Sequence, residues 1–284
     1  EWTKKAFPRL SVWERFEHYA VWGGIPRYWE SCQGERDIWE TLRNQVFSPQ
    51  GMFHDEPNFI LHDDLEDAVQ ATSVLALIGQ GAGRLAEISS RLQVPATSLS
   101  RPLKRLVGLG LVRRDIPFGC DEKGNKKSLY RLSDPFLRFW YSFVLPHYSD
   151  PYFLSTREEV NVFRPAFDVY LGQVWEELVR MTLMRKSIPG AQGRWRKVSR
   201  WWGSGLNRQP MEIDVLAESV DGKTLLAGEV KLSLTKREAE HAQAELDAKV
   251  RQLPFAKEYK RIVSRLFVAK KGPPDAISLT WLDS

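Results

Sequence analysis

Asp214, Glu229 and Lys231 are the residues of this chain whose types and spacing could do metal-assisted chemistry on a phosphodiester. They lie in Glu212-Ile213-Asp214 and, fifteen positions beyond the aspartate, in Glu229-Val230-Lys231. Mg²⁺ is a hard cation that takes one or two carboxylates and completes its shell with water and phosphate oxygens. A lysine beside it can orient an attacking water and stabilise the charge that develops on phosphorus. Such a set needs two paired elements that present alternate side chains. Met211–Ala217 and Thr224–Leu232 read as adjacent strands, being short apolar runs with β-branched residues. The polar stretch Glu218–Lys223 between them carries Asp221-Gly222, a hairpin turn signal. Side chains at i and i+2 of a strand share a face, so Glu212 goes with Asp214 and Glu229 with Lys231. The alternative is an exposed hairpin whose charges face water. Against it, Ile213, Val215, Leu216, Leu225, Leu226, Ala227 and Val230 make both faces partly buried. A charged trio on a half-buried sheet needs a partner or an ion.

The order Asp214, then Glu229-Val230-Lys231, resembles the PD-(D/E)XK nuclease superfamily, the restriction-endonuclease-like fold. Its core is an acidic residue on one strand and Glu-x-Lys on the next. The resemblance implies Mg²⁺ (or Mn²⁺) held by Asp214 and Glu229, with Glu212 available to complete the shell and Lys231 as the catalytic lysine.

Composition bounds the rest. The chain has 284 residues, enough for two or three domains. At 43% hydrophobic and 27% charged it has apolar residues for real cores. No run is long and apolar enough to span a membrane, and no signal peptide opens the chain. Cys32 and Cys120 lie far apart with no metal-type spacing, which points to a reduced, cytoplasmic setting. Glu1 in place of methionine points to a fragment or a processed chain.

The net charge of +5 is unevenly spread. Residues 81–131 hold eleven Lys/Arg against four Asp/Glu, a local +7, whereas residues 1–80 carry a net −6. A basic excess confined to one module is an electrostatic footprint for nucleic acid. Within it, Leu85–Leu92 has apolar residues at helical spacing and stops before Val94-Pro95. Thr97 or Ser98 can start a second helix, with Leu99, Leu103, Leu106 and Val107 at periods of three and four. Val112–Ile116 and Ser128–Leu132 read as strands around the polar, glycine-bearing stretch Gly119–Lys127. Helix, turn, helix and hairpin resemble the winged helix-turn-helix family. A recognition helix enters the major groove through its exposed face. That face would carry Ser98, Ser100, Arg101, Lys104 and Arg105, with Lys123, Lys126 and Lys127 at the wing tip. A winged helix used only for protein contacts is the alternative.

Residues 1–70 read as helical and acidic, with Gly23-Gly24-Ile25-Pro26 breaking two helices. The succession of Tyr19–Trp29 (YAVWGGIPRYW), Phe53–Leu61 (FHDEPNFIL), a winged helix, Ser133–Val144 (SDPFLRFWYSFV) and the Asp…Glu-x-Lys core resembles the C-terminal portion of archaeal-type AAA ATPases. In that family a P-loop NTPase domain precedes a helical lid, a winged helix and a restriction-endonuclease-like domain. The likeness covers nearly the whole chain. No G-x-x-x-x-G-K-[ST] is present, so this chain alone is expected to hold no nucleotide and to show no ATPase activity.

The last region contains a long helix over Phe163–Met184, with Phe167, Leu171, Val174, Leu178 and Met181 as its apolar stripe. The family places an acid after an aromatic there, which matches Trp175-Glu176 and makes Glu176 a further catalytic acid, with Glu177 as the fallback. No acid interrupts 190–210, where Arg194, Arg196, Lys197, Arg200 and Arg208 interleave with Trp195, Trp201 and Trp202. Basic residues among aromatics suit a nucleic-acid strand, so Arg194 and Arg196 join the DNA-binding set. The alternative is a strand with core tryptophans and solvated arginines, favoured for Trp201 and Trp202. Glu238–Arg251 reads as a helix and Ile262–Ala269 as a last strand. The aromatics of Phe136–Phe143 are expected between domains. His54-Asp55-Glu56 and His62-Asp63-Asp64 match no metal-ligand spacing, and Asp63 and Asp64 suit a helix N-terminus.

The expectation is therefore a multi-domain α and α/β protein: a helical lid-like segment over 1–70, a winged helix-turn-helix over 71–147 and a restriction-endonuclease-like domain over 148–284. Two functions follow. One is a DNA-binding protein with a Mg²⁺-dependent endodeoxyribonuclease domain, the C-terminal part of an AAA-type ATPase. The other is a non-catalytic DNA- or protein-binding regulatory arm that keeps the nuclease fold as a scaffold. DNA and an N-terminal ATPase domain outside this chain are the expected partners, with no membrane and with homo-oligomerisation left open.

Overall fold

A computed structural model describes residues 2–32, 37–59, 68–121, 127–150, 152–189 and 193–283. The chain divides into two compact units, a helical one (2–115 and 127–165) and a sheet one (116–126 and 166–284). The expected boundaries differ from this division: residues 1–147 fall mostly within one unit, whose edge is at Pro165 rather than near 147.

In the helical unit, α1 (Trp2–Ala6), α2 (Val12–Trp22), α3 (Pro26–Ser31) and α4 (Ile38–Leu42) come first. A capping box starts α2: Glu14 N–H donates to Ser11 Oγ, and Ser11 N–H to the Glu14 carboxylate. The break at Gly23–Ile25 turns the chain into α3, and Trp29 Nε1 donates back to the Gly23 carbonyl at 2.9 Å. Next come α5 (Ala68–Gly79), α6 (Leu85–Leu92), a 3₁₀ turn at Ala96–Leu99, α7 (Ser100–Gly108) and the antiparallel strands β1 (Val112–Asp115) and β2 (Leu129–Leu132). The second helix of the pair thus begins its α-helical part at Ser100, after a tighter turn. A short helix α8 (Pro135–Phe139) runs into a π-helical turn, Trp140–Val144. The Phe136–Phe143 aromatics belong to this unit's own core. Phe136 stacks on Trp22 with centroids 5.7 Å apart and meets Tyr28 at 4.9 Å, and Trp140 Nε1 donates to the His54 carbonyl.

Helix α9 (Arg157–Leu183) carries the chain between the units. Its buried stripe in the sheet unit runs through Phe167, Leu171, Val174, Trp175, Val179 and Leu183. Met181 is exposed, so the apolar side expected from Phe167, Leu171 and Val174 drifts at the helix C-terminus. An α-helix turns by 3.6 residues, and the large indole of Trp175 takes the inward position.

The sheet unit is a mixed five-stranded sheet ordered β3 (Trp195–Ser204), β4 (Pro210–Ser219), β5 (Thr224–Ser233), β6 (Arg261–Lys271), β7 (Ile277–Ser278). The first three strands are antiparallel neighbours, and β5–β6 and β6–β7 are parallel. The β4–β5 hairpin turns at Asp221-Gly222, where Gly222 has φ +70° and Asp221 accepts from Ser219 Oγ and Lys223 N. Helix α10 (Lys236–Arg251) provides the crossover to β6. Thr235 and Glu238 form its capping box. Leu246 and Val250 of α10 share a core with Trp201, Ile213, Leu216, Leu225 and Ala227, and Ala239 and Ala242 pack with Leu266 and Val268. Of the two tryptophans expected in the core, Trp201 lies there and Trp202 is only partly buried.

Candidate active site and nucleic-acid interface

The β4–β5 ladder ends at the pair Val215↔Gly228. One step further on each strand stand Asp214 and Glu229. Where the strands part, the Asp214 carboxylate takes the place of a main-chain acceptor: Oδ2 receives the Val230 N–H at 2.9 Å. Glu229 Oε1 receives Lys231 Nζ at 2.6 Å, and its Oε2 lies 3.4 Å from Lys249 Nζ, which comes from α10. Glu176 arrives from α9, where Trp175 is fully buried and donates its indole N–H to the Phe267 carbonyl at 3.4 Å. Arg180, one turn on, lies 3.3 Å from Glu176 and donates to the Asp214 carbonyl oxygen at 2.8 Å. It thereby ties the helix carboxylate to the strand that carries the aspartate.

The electrostatics follow from this crowding. Burial first, then the charges of Glu176 and Glu229, push the Asp214 pKa up to about 7; the Val230 N–H and Lys231 pull the other way. For Lys231, burial works to lower the pKa, but the hydrogen bond to Glu229 and the charges of Glu229, Asp214 and Glu176 outweigh it and hold it above the usual lysine range. Asp214, Glu229, Lys231 and Glu176 therefore act on one another. Glu212 does not join them: it is half exposed and paired with Arg200, whose guanidinium also lies 5.2 Å from the Trp202 ring centroid. Among the described residues, no group of three or more His, Cys, Asp or Glu side chains is arranged to hold a metal ion.

Arg180 and Lys249 were not singled out by the sequence reading. Each lies four residues beyond a glutamate on its own helix, Glu176 and Glu245, a spacing that marks helix ion pairs but does not say what else the cation reaches.

The helix-turn-helix is clean in its packing. Leu99, Leu103 and Leu106 are buried, and Arg101, Lys104 and Arg105 lie on the exposed side of α7. Ser98 is exposed, with its hydroxyl donating to the Pro95 carbonyl at 2.7 Å. Asp115 engages Arg113 and Arg131 at 3.0 and 3.4 Å, and Glu87 engages Arg91 at 2.8 Å, so part of the local basic excess is used within the module. Lys127 is exposed; Lys123 and Lys126 lie outside the described residues, as do His62, Asp63 and Asp64.

The segment leading into the wing is built into the sheet unit. Phe118 N donates to the Arg200 carbonyl, Ser199 Oγ donates to the Ile116 carbonyl, and Phe118 is buried with Trp201. Arg194 is exposed. Arg196 is committed to Glu218, a nearly buried carboxylate whose other oxygen receives Tyr259 OH at 3.1 Å. His54 and Glu56 are likewise used internally, by the Val46 carbonyl and by Tyr28 OH.

The chain is thus a multi-domain α/β protein that carries a helix-turn-helix of the DNA-binding, winged kind. Residues 68–115 match the IclR helix-turn-helix domain, and residues 140–242 match a family described as archaea bacterial proteins of unknown function. The chain is 26% identical over 234 residues to an uncharacterized protein of Methanocaldococcus jannaschii, across 80% of this chain and 50% of that protein. It spans about half the length of this relative. No solved structure matches it. Among the described residues no helix is long and apolar enough to cross a membrane.

Proposed function

We propose that this chain is a DNA-binding protein whose sheet unit is a Mg²⁺- or Mn²⁺-dependent nuclease, and that it forms the C-terminal part of an AAA-type ATPase. One observation carries the nuclease reading: Asp214, Glu229, Lys231 and Glu176 meet where β4 and β5 separate. The donor set suits a hard divalent cation, being carboxylate oxygens. Burial and two neighbouring carboxylates raise the Asp214 pKa to about 7, and a cation bound there would favour its ionised form. Asp214 and Glu229 would hold the ion, with Glu176 beside them. When bound, the ion supplies Lewis-acid polarisation of the phosphate and a water of lowered pKa.

The rest falls to the chain's own groups. Val230 N–H and Arg180 fix the Asp214 side chain and its carbonyl. The Lys231 ammonium, protonated across the physiological range, orients water towards phosphorus and offsets charge on the phosphoryl oxygens. The exposed cations Arg101, Lys104 and Arg105 of α7 bring duplex DNA to the protein. The ATPase association rests on the resemblance of the segment order, and the greater length of the M. jannaschii relative leaves room for such a domain.

A second reading has its own support. Both Lys231 and Lys249 are bonded to Glu229, which suits a scaffold whose acid is neutralised within the protein. Incubation with supercoiled, linear and single-stranded DNA and Mg²⁺ or Mn²⁺, beside a Lys231→Ala control, separates the two. Cleavage that needs both metal and Lys231 supports the nuclease. If no nucleic acid is cut, even with the N-terminal ATPase domain supplied, the regulatory-arm reading stands instead.

A further inference from the structure

We infer that Lys249 is a positioning residue for Glu229: it holds one carboxylate oxygen so that the other faces the position shared by Lys231 and a divalent cation. This rests on the nuclease reading and deepens it. The two lysines take different oxygens, Lys231 on Oε1 at 2.6 Å and Lys249 on Oε2 at 3.4 Å. They also differ in surroundings. The Lys231 side chain is 43% exposed on a strand, whereas that of Lys249 is 21% exposed and is shared with Glu245 at 3.3 Å, one turn back on α10.

Lys249 is thus the less exposed of the two and is shared between two carboxylates, although its contact with Glu229 is the longer one. Its helix is fixed by Leu246 and Val250, which pack into the core on either side of it. A carboxylate with one oxygen held by a half-buried ammonium, itself fixed by a second carboxylate, keeps a more defined direction for the other oxygen. Mg²⁺ demands that definition more than Ca²⁺ does, because its near-octahedral shell tolerates little ligand scatter.

Two consequences separate positioning from mere charge or stability. Loss of the ammonium removes a positive charge next to a ligand, which favours every divalent cation alike. Loss of the tether relaxes the geometry, which favours Ca²⁺ over Mg²⁺.

The test is Mn²⁺ binding to the full chain by electron paramagnetic resonance, with Mg²⁺ and Ca²⁺ as competitors, for wild type, Lys249→Met and Lys249→Arg. Lys249→Met should bind Mn²⁺ about three- to tenfold tighter and shift the Mg²⁺/Ca²⁺ preference towards Ca²⁺ by about fivefold. Lys249→Arg, which keeps the charge and the reach, should restore both values towards wild type. Unchanged affinity and unchanged preference in a folded Lys249→Met overturn the inference while leaving the nuclease reading standing. A uniform tightening without a shift in preference overturns positioning and leaves a charge effect. Should Lys249→Met fail to fold, Lys249→Gln is measured by the same criteria. No Mn²⁺ binding by the wild type overturns the nuclease reading itself, and this inference with it.

Discussion

The Asp214 carboxylate accepts the main-chain N–H of Val230 at 2.9 Å, one step past the last β4–β5 pair. An amide that would otherwise lose its partner where the strands part is satisfied by a side chain. The same bond holds Asp214 at the sheet position where Glu229 and Glu176 act on it.

Stability should therefore fall as pH rises in the metal-free protein. Asp214 has a folded pKa near 7, above the ordinary carboxylate value, so between about pH 4 and 7 the native state binds a proton that the unfolded chain has released. The native state loses that advantage as pH climbs, by on the order of 2–4 kcal/mol across the window, and the cost is complete above pH 7. Asp214→Asn should flatten the dependence. Urea titrations from pH 5 to 8 measure it, and parallel profiles for the two proteins would contradict it.

Lys231→Ala should slow metal-dependent cleavage by roughly 10²–10⁴-fold, the range expected for loss of a positioned catalytic group. Asp214→Ala should abolish cleavage. Both should keep duplex affinity in gel-shift titrations, since the basic face of α7 lies in the other unit. Calcium should support binding without cleavage. Lost DNA binding in a folded Asp214→Ala would mean that the sheet unit, and not the helix-turn-helix, carries the affinity.

Replacing Arg101, Lys104 and Arg105 together with alanine should weaken duplex binding and reduce the salt dependence. If each contacts one phosphate, the slope of log affinity against log salt falls by about 3. Fluorescence anisotropy over a salt series measures it. Equal affinities at low salt would leave the module as a protein-contact domain.

Gly228→Ala should destabilise the sheet unit. A Cβ at this position would stand 2.7 Å from Phe267 Cε2 and 3.1 Å from Val215 Cβ, both in the core beside the site. Overpacking of this kind costs about 1–3 kcal/mol. A lowered melting temperature is the expected readout, and a wild-type value would mean that Phe267 swings aside without strain.

Much of the fold was legible in local pattern. Leu85–Leu92 forms the helix its periodicity implied, and Asp221-Gly222 makes the turn that sets β4 against β5. These features depend on neighbours a few residues apart, where the period of apolar residues and the φ preference of glycine decide the backbone. The placing of Asp214 and Glu229 one step past the same end of the ladder was within reach for the same reason, since a hairpin turn fixes register.

Other features depend on contacts distant in sequence. Glu212 shares a strand face with Asp214 by alternation, yet Arg200 of β3 takes it. Arg196 looks like a free cation in a basic run, yet Glu218 claims it. Arg180 and Lys249 enter the site from two helices, one on each side of the strand pair in sequence. A charge's partner is set by which side chains packing brings within a few ångströms, and Coulomb energy falls with that distance, not with separation along the chain. Sequence alone determined the acids, the lysine and the hairpin that aligns them; the packing of α9, α10 and β3 on that hairpin decided which charges meet there, because only packed elements bring residues distant in the chain within reach of one another.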